Sequence, residues 1–566
     1  MAETKDLSIK RQGEERTDER SAYTKKDAGL IMAYLAVSFI ALFLGAVAGL
    51  LQALERGGFL MLSPQVYYLM LTLHGVALAL IFTTFFIIGF LYSGVIKTTG
   101  GRFRSGDRTT GWIAFYMMLI GTIMALISIA NNNATVLYTF YAPMQASPWF
   151  YIGLALVVAG SWVSAIPIFR AYRNWRKNNR NQPSPLFVYM SVATMILWII
   201  ATIGVAVEVV AQLIPWSFGW VREINVSLSR TLFWYFGHPL VYFWLLPAYI
   251  YWYVGIPKII NGRLFSDSLP RLTFVLFILY SIPVGFHHQL MEPGISSFWK
   301  FVQVILTMIV VIPSLMTVFA ILATFELAGR EKGAKGRFGW LKKLPWKDVR
   351  FFAPFLSMVM FIPAGAGGIV NASYQMNQVV HNTLFVTGHF HMTLATTVVL
   401  TFFAISYWLI PMLTNRAFTP LANRLGIIQS VIWSVGILLM GGTMHIVGLL
   451  GSPRRTAFST YNNHPEALNW LPYMEVVGAG GVLLFIGILF YLAVVIYLMF
   501  FAPKTESPME YPIGNVVDRA QKPPLILERW SVWIALTAVL ILIAYTVPII
   551  GLIQHAPPGS PTIRTW

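Results

Sequence analysis

The chain of 566 residues contains no cysteine, and only 11% of its residues are charged. The absence of cysteine excludes disulfides, thiolate metal ligands and iron–sulfur clusters, so histidine, carboxylate or backbone groups must hold any metal. Soluble proteins carry about twice this share of charged residues, whereas hydrophobic residues make up 57% of this chain. Residues 1–27 are polar and lack an early apolar core, which argues against a cleavable signal peptide. The composition is typical of an integral membrane protein.

Thirteen apolar stretches are long enough to cross a membrane. They predict an all-α membrane protein with a transmembrane domain at 28–553, a polar N-terminal tail at 1–27 and a C-terminal tail at 554–566. The predicted spans are 28–53, 66–96, 111–131, 148–169, 187–214, 231–257, 272–289, 301–328, 351–372, 385–413, 425–448, 470–501 and 530–553.

The positive charges indicate which way the chain crosses the membrane. All 40 Lys and Arg residues fall in tails or loops, 33 of them on the side of the N-terminus and 7 on the other side. By the positive-inside rule, the N-terminus is therefore inside, as a cytoplasmic tail, and the C-terminus is outside. The same bias explains the net charge of +18 through contacts with lipid headgroups, so we expect no nucleic-acid partner.

The histidines gather at one depth of the predicted bundle. With this sidedness, the histidines of spans 2, 6, 7 and 10 all lie in the outer third of the membrane, namely His74, His238, His287, His288, His389 and His391. A single intramembrane histidine is more often a hydrogen-bond partner than a metal ligand, but several at one depth favour a functional site. In the absence of cysteine and of an acidic cluster, copper and haem iron are the natural candidates.

The spacing of these residues divides them into groups. Tyr242 follows His238 by four residues, so both share one helix face. The adjacent His287 and His288 are about 100° apart on a regular helix and can reach one ion only where a helix ends. His389 and His391 are two residues apart and leave a helix about 200° from each other, so one helix could serve two centres.

Three motifs together carry a resemblance to a known family. GHPLVYFW at 237–244, HH at 287–288 and GHFHM at 388–392, with His74 on an early span, resemble subunit I of the haem–copper terminal oxidases over essentially the whole chain. The resemblance implies that His74 and His391 ligate a low-spin haem and that His389 ligates a high-spin haem. It also implies that His238, His287 and His288 bind the copper called CuB. Tyr242 resembles the catalytic tyrosine that is cross-linked to one of these histidines, here His238.

Further residues are similar to the B family of these oxidases. Leu240 follows His-Pro where the commonest family has Glu, and the Lys of its eighth span is replaced by residues 313–317. The resemblance implies a proton pathway through five residues below Tyr242, namely Tyr249, Tyr253, Ser266, Ser314 and Thr317. It also implies a low-spin haem of b type, while the high-spin haem stays open between the a and o types.

The outer loops contribute a second set of implied residues. Arg454, Arg455, His381 and Asn382 are expected to contact the haem propionates, which need charge-assisted partners. Asn377 stands where relatives often carry Asp, so the proton exit is left open. Glu208 is an acid within the fifth span whose burial implies a partner, but its role is also left open.

The resemblance implies a proton-pumping respiratory enzyme that reduces dioxygen to water in a bacterial or archaeal plasma membrane. Its expected partners are a subunit II with a CuA centre, cytochrome c as electron donor, membrane lipid and a small accessory membrane subunit, with quinol as the alternative donor. Three other functions share some of these features. Tyr242 and the lack of acids near His238 argue against a nitric oxide reductase, and the His287–His288 pair argues against a dihaem electron carrier. A secondary transporter would show broken helices and no haem absorption.

Overall fold

The computed structural model describes residues 23–506, 509–517, 522–555, 559–561 and 563–564. Within these residues, thirteen helical stretches are long and apolar enough to cross a membrane, which confirms the predicted all-α architecture. Most of tail 1–27 and part of tail 554–566 lie outside the described residues. The stretches, numbered spans 1–13 in chain order, are Lys25–Arg56, Pro64–Thr98, Ser105–Ala130, Pro148–Asn178, Leu186–Ser217, Val226–Ile259, Ser268–Gln289, Ser297–Glu331, Val349–Ala372, Leu384–Thr414, Pro420–Leu449, Leu471–Phe501 and Trp530–Gln554.

The spans differ in how far the protein itself encloses them. In spans 2 and 6, 89% of the most apolar window is buried within the chain, and in span 10 the share is 83%, whereas it falls to 28% in span 13. Spans 2, 6 and 10 therefore form the centre of the bundle, and their apolar residues face other helices. The exposed apolar side chains of the outer spans suit a lipid environment, in which burial against neighbouring helices is not required.

Small residues let some spans approach closely. A Cβ atom on Gly121 of span 3 would lie 2.4 Å from the carbonyl oxygen of Gly153 in span 4, and one on Gly153 would lie 2.6 Å from that of Gly121. Backbones can pack this tightly only where side chains are absent, which is the usual device of helix pairs in membranes.

Several spans depart from regular α-helix. Span 7 is α-helical only over Ser268–Ser281 and then loops into a short 3-10 turn, Phe286–Gln289. Span 8 consists of two helices, Ser297–Ile309 and Val311–Glu331, that meet at Val310 just before Pro313. Six π-helical segments interrupt other spans, at Val76–Phe82, Val209–Leu213, Tyr251–Gly255, Met392–Leu400, Leu438–Gly442 and Tyr497–Phe501. Such segments occur frequently at functional sites.

The remaining elements lie in loops. Short helical turns occupy Tyr374–Val380, Gly339–Lys343, Pro465–Leu468 and Leu525–Glu528. Three two-stranded ladders pair Met144–Gln145 with Ile563–Arg564, Glu223–Ile224 with Ser560–Pro561, and Arg263–Leu264 with Asn515–Val516.

Span 13 is tied to the bundle by a buried ion pair at its start. Arg271 Nη1 donates to Glu528 Oε1 at 3.0 Å, and both side chains are nearly inaccessible to solvent. Arg271 also contacts Asp267, while the amide and hydroxyl of Ser184 and the hydroxyl of Tyr172 bind Glu528. Since a buried charge pair is tolerated only when its remaining polar atoms are satisfied, this network fixes the approach of span 13 to spans 4, 5 and 7.

A candidate metal and haem site

Three imidazoles converge where the end of span 7 meets span 6. One ring nitrogen each of His238, His287 and His288 lies within 4.8 Å of the others, with no carboxylate in the group. Span 6 presents His238 from its first half, whereas the 3-10 turn Phe286–Gln289 presents the adjacent pair. Because the turn is not α-helical, the adjacent His287 and His288 can face the same point. The sequence predicts this arrangement at the end of a helix. The indole of Trp234 stacks on His288 at 4.0 Å between ring centroids.

The histidine turn is held from behind by span 8. Gln303, which is fully buried, accepts through Oε1 from the amides of Gly285 and Phe286, each at 2.8 Å. One turn further on, Thr307 Oγ1 lies 3.1 Å from His287 Nδ1 and donates its own hydrogen to the carbonyl oxygen of Gln303 at 2.6 Å. The ring therefore donates from Nδ1 and leaves Nε2 of His287 available for a metal.

The nitrogen donors suit the predicted copper. His238 Nε2 and His288 Nε2 are buried and have no hydrogen-bond partner among the described residues. Buried polar atoms are rarely left without partners, and an absent ion is one of the recognised reasons. Three imidazoles without thiolate or carboxylate are a donor set that copper accepts. Tyr242 lies beside this group, with its ring centroid 5.0 Å from that of His238.

A second pair of histidines forms between spans 2 and 10. The rings of His74 and His391 face each other nearly in parallel, with centroids 5.9 Å apart. His74 Nδ1 lies 2.9 Å from the carbonyl oxygen of Gly45, and His391 Nδ1 lies 2.8 Å from that of Thr387. Both rings thus keep Nε2 for a ligand. A Cβ atom on Gly49 would lie 2.7 Å from the His74 ring, so only glycine at position 49 of span 1 leaves room for this ring.

His389 leaves span 10 in another direction. Its Nδ1 lies 2.9 Å from the carbonyl oxygen of Ala364 in span 9, and Cβ atoms on Gly367 and Gly368 would each lie 3.1 Å from its ring. One helix therefore directs His389 toward span 9 and His391 toward span 2, as the two-residue spacing predicts. Span 10 continues from His391 as the π-helical segment Met392–Leu400 and becomes α-helical again at Thr401.

All six histidines and Tyr242 line one internal cavity of about 800 Å³. This volume is near the upper end of the range for small-molecule and cofactor sites. Stacked imidazoles with anchored Nδ1 atoms, an isolated imidazole and apolar walls are donors and surroundings that fit haem groups. The described residues therefore fit two haems and one copper ion, in the division that the sequence predicts.

Of the four residues predicted to contact propionates, His381, Arg454 and Arg455 line this cavity, and Asn382 contacts Arg454. Arg454 donates from its main-chain amide to the Asn382 carbonyl at 2.9 Å and from Nη2 to Asn382 Oδ1 at 3.0 Å. Arg455 Nη1 donates to the Tyr141 hydroxyl at 3.4 Å. Arg454 Nε and Arg455 Nη2 are buried without hydrogen-bond partners among the described residues. Burial, followed by the positive charge of Arg454, lowers the pKa of His381 to about 4, so its imidazole is neutral near pH 7.

The predicted proton pathway is assembled only in part. The Tyr253 hydroxyl donates to Thr317 Oγ1 at 2.7 Å, and the Tyr249 hydroxyl lies 3.4 Å from Ser314 Oγ. These two pairs join spans 6 and 8 below Tyr242. Ser266 is engaged locally instead, since its Oγ accepts the amide of Leu269 at 3.3 Å.

Some residues of the site were not identified from the sequence. Gln303 and Thr307 lie four residues apart in an apolar run, and this polar pair on one helix face is the signal that could have indicated them. Glu208 has a partner, since Ser229 Oγ donates to its Oε1 at 2.7 Å, while its Oε2 has none among the described residues. His445 lies at the same depth but packs behind span 10, with Nδ1 2.7 Å from the Gly441 carbonyl.

Comparison with known proteins agrees with this geometry. Residues 29–483 match the family described as cytochrome c and quinol oxidase polypeptide I. Cytochrome c oxidase subunit 1 of Thermus thermophilus is 39% identical over 557 residues, which cover 96% of this chain and 98% of the relative. A probable quinol oxidase subunit 1 of Staphylococcus epidermidis is 26% identical, over 79% of this chain and 66% of the relative.

A solved structure leads to the same family. The chain superposes on a heme-copper terminal oxidase, solved as a dimer by cryo-electron microscopy, with a TM-score of 0.89. The two are 35% identical and the match covers 95% of each chain. The family match spans most of the chain and the fold agrees over 95% of it, so this chain is a subunit I of the haem–copper oxidases, a member of the cytochrome c and quinol oxidase polypeptide I family.

Proposed function

We propose that this chain is the catalytic subunit of a proton-pumping respiratory terminal oxidase that reduces dioxygen to water. The observation that carries the proposal is the convergence of His238, His287 and His288 on one point of a cavity that Tyr242 also lines. We assign these three histidines to CuB and His389 to a high-spin haem of a or o type. His74 and His391 hold a low-spin haem of b type. When bound, these groups supply dioxygen binding and electron transfer.

The residues of the chain orient these groups and move protons. The carbonyls of Gly45, Ala364 and Thr387 and the hydroxyl of Thr307 fix the imidazole rings, so that each offers a nitrogen without rotating. The phenol of Tyr242 lies beside His238, and we assign Tyr242 as the residue that donates a proton to the reacting atoms. A phenol held this close needs no diffusion to reach them, which is the advantage of a positioned acid.

Protons reach Tyr242 from the side of the N-terminus in this proposal. The Tyr253–Thr317 and Tyr249–Ser314 pairs form two successive steps toward the cavity, and Ser266 lies at the entrance of the pathway. The anionic haem carboxylates are held by His381, Arg454 and Arg455, which line the cavity, and by Asn382, which accepts from Arg454. We assign the pathway to the B family of these oxidases on the replacement residues Leu240, Ser314 and Thr317.

The wider assignment concerns partners and location. We propose a plasma membrane of a bacterium or archaeon, with the N-terminus inside and the C-terminus outside, and a subunit II carrying CuA as the immediate electron donor. Relatives of this chain include both cytochrome c oxidase and probable quinol oxidase subunits, and we favour cytochrome c. Oxygen uptake driven separately by reduced cytochrome c and by quinol decides between the two donors.

The central test is the substitution Tyr242→Phe in the purified complex. We expect dioxygen consumption to fall by roughly 10²-fold or more, the scale on which positioned acids act, while haem and copper contents stay unchanged. Tyr280→Phe is the matched control, because Tyr280 lies on span 7 outside the residues that line the cavity. Near-normal turnover of Tyr242→Phe with all metals bound would remove the assigned role.

A further inference from the structure

Arg56 is a buried arginine with an incomplete set of partners. It is the last residue of span 1, and 7% of its surface is exposed. Its Nη2 donates to the Tyr67 hydroxyl at 2.7 Å, whereas its Nη1 is buried with no hydrogen-bond partner among the described residues. A buried guanidinium that leaves a donor unused is unfavourable unless something else accepts from it.

The charge of Arg56 is also unpaired within the described part of the chain. No carboxylate there lies within 4.0 Å of its guanidinium, whereas Arg271, which is also buried, contacts both Asp267 and Glu528. Burying a cation without an anion is strongly unfavourable. An anion that the described residues do not provide therefore belongs beside Arg56.

The position of Arg56 indicates which anion this is. It lines the same cavity as His74 and His391. On span 1, Gly45 accepts from His74 and Gly49 adjoins the His74 ring. Arg56 follows Gly49 by seven residues, so it lies on nearly the same helix face, about 10 Å further along the axis. The face of span 1 that contacts His74 thus carries a cation two turns above it.

We propose that Arg56, held by Tyr67, binds an anionic carboxylate of the low-spin haem, as a third arginine beside Arg454 and Arg455. All three have a buried donor without a partner among the described residues and line one cavity. The inference rests on the proposed function, since it requires His74 and His391 to hold a haem. The sequence motifs do not indicate Arg56. It follows the predicted first span, 28–53, and there it is one of the seven basic residues assigned to the outer side of the membrane.

The test is a redox titration of the low-spin haem in the purified complex carrying Arg56→Gln. Removal of the cation leaves the haem carboxylate without compensation, which disfavours addition of an electron. A nearby cation favours the added electron by Coulomb attraction, so we expect its removal to give about a tenfold fall in the one-electron equilibrium constant. That corresponds to a midpoint potential lower by about 59 mV. Arg56→Lys keeps the charge and should restore most of the potential.

Two further variants sharpen the result. Tyr67→Phe removes only the hydroxyl that holds Arg56, so it should lower the midpoint potential by less than Arg56→Gln does. This variant tests the inference even if the complex carrying Arg56→Gln fails to assemble. Arg222→Gln removes an exposed arginine on the same side and should leave the potential unchanged.

The outcomes separate the inference from the function on which it rests. An unchanged low-spin potential in Arg56→Gln, with the haem present, would overturn the inference, and so would loss of a bound phospholipid without any change in potential. If the wild-type complex showed no low-spin haem, the proposed function itself would fail, independently of any Arg56 variant.

Discussion

At the scale of single residues, the three proposed haem ligands share one local arrangement. In His74, His389 and His391, Nδ1 lies 2.8–2.9 Å from a main-chain carbonyl oxygen. Because main-chain atoms make these contacts, the ring orientations depend on helix positions rather than on neighbouring side chains. His287 is the exception, since a side-chain hydroxyl takes the same place, and this makes its orientation sensitive to a single substitution.

Thr307→Val should therefore weaken copper binding without changing the histidines. The substitution keeps the shape of the side chain and removes the hydroxyl that accepts from His287, and partners of metal ligands typically contribute 10–100-fold to metal affinity. We expect the copper content, measured by mass spectrometry after exposure to a chelator, to fall accordingly. Thr537→Val is the control, because Thr537 is also buried and its hydroxyl donates to the main-chain carbonyl of Trp533 rather than contacting a histidine. Equal copper retention in both variants would contradict the support assigned to Thr307.

The residues that bear the chemistry could be predicted from the sequence, and those behind them could not. His238, His287 and His288 are rare polar residues in apolar spans, so their depth indicated a common site, and the family resemblance implied that these three share one metal. Gln303 and Arg56 act through partners on other helices, namely the amides of Gly285 and Phe286 and the hydroxyl of Tyr67. Such pairings depend on which helices are neighbours, and hydropathy does not contain that information.

At the scale of elements, spans 6 and 8 meet through two hydroxyl pairs. Tyr253–Thr317 is the shorter, at 2.7 Å, and Thr317 also donates to the Pro313 carbonyl at 3.0 Å. The position of Thr317 follows from the helix that begins at Val311, because the break at Val310 sets the direction of this second half of span 8. The pairing of the two spans is therefore a property of the broken helix as much as of its polar residues.

Thr317→Val should slow proton delivery while leaving the metal sites intact. The methyl group that replaces the hydroxyl cannot accept from Tyr253, so we expect several-fold slower dioxygen consumption and a matching loss of proton uptake in vesicles. Thr317→Ser restores the hydroxyl and should recover most of the rate. If valine and serine at this position supported the same rate of proton uptake, the pathway would not pass through Thr317.

The limits of the thirteen spans could largely be predicted, but their internal irregularities could not. Span 7 was expected as one helix at 272–289, and its regular part ends at Ser281. Hydropathy shows only that a segment is apolar and does not show whether it is helical. A loop can also be apolar and buried when its amides have a partner, as those of Gly285 and Phe286 have in Gln303. The same holds for the π-helical segments, whose composition does not differ from that of the flanking turns.

At the scale of the whole molecule, the distribution of charge predicts the orientation in the membrane. Because the number of spans is odd, the N-terminus and the C-terminus lie on opposite sides of the membrane. By the predicted spans, 33 of the 40 Lys and Arg residues lie on the side of the N-terminus. The histidines and Arg454 and Arg455 lie toward the other face. In the proposed orientation, this places the metal sites near the outer surface and the hydroxyl pairs on the inner side.

Cysteine labelling can test this orientation, because the chain contains no cysteine of its own. Arg222→Cys and Lys335→Cys place single thiols at exposed positions in loops on opposite faces. A membrane-impermeant maleimide should label Arg222→Cys in intact cells and label Lys335→Cys only after lysis. Reversal of this pattern would show that the chain crosses the membrane in the other direction.

The π-helical segment of span 10 separates two tasks within one helix. His389 and His391 precede Met392–Leu400, and Thr401 follows it, where Thr401 Oγ1 contacts Trp252 at 3.2 Å and Ser357 at 3.0 Å. Each α-helical residue advances the helix by about 100°, so the wider turns change the angular phase of one half relative to the other. The π-helical segment therefore sets the angle between the half of span 10 that carries the two histidines and the half that packs against Trp252 and Ser357.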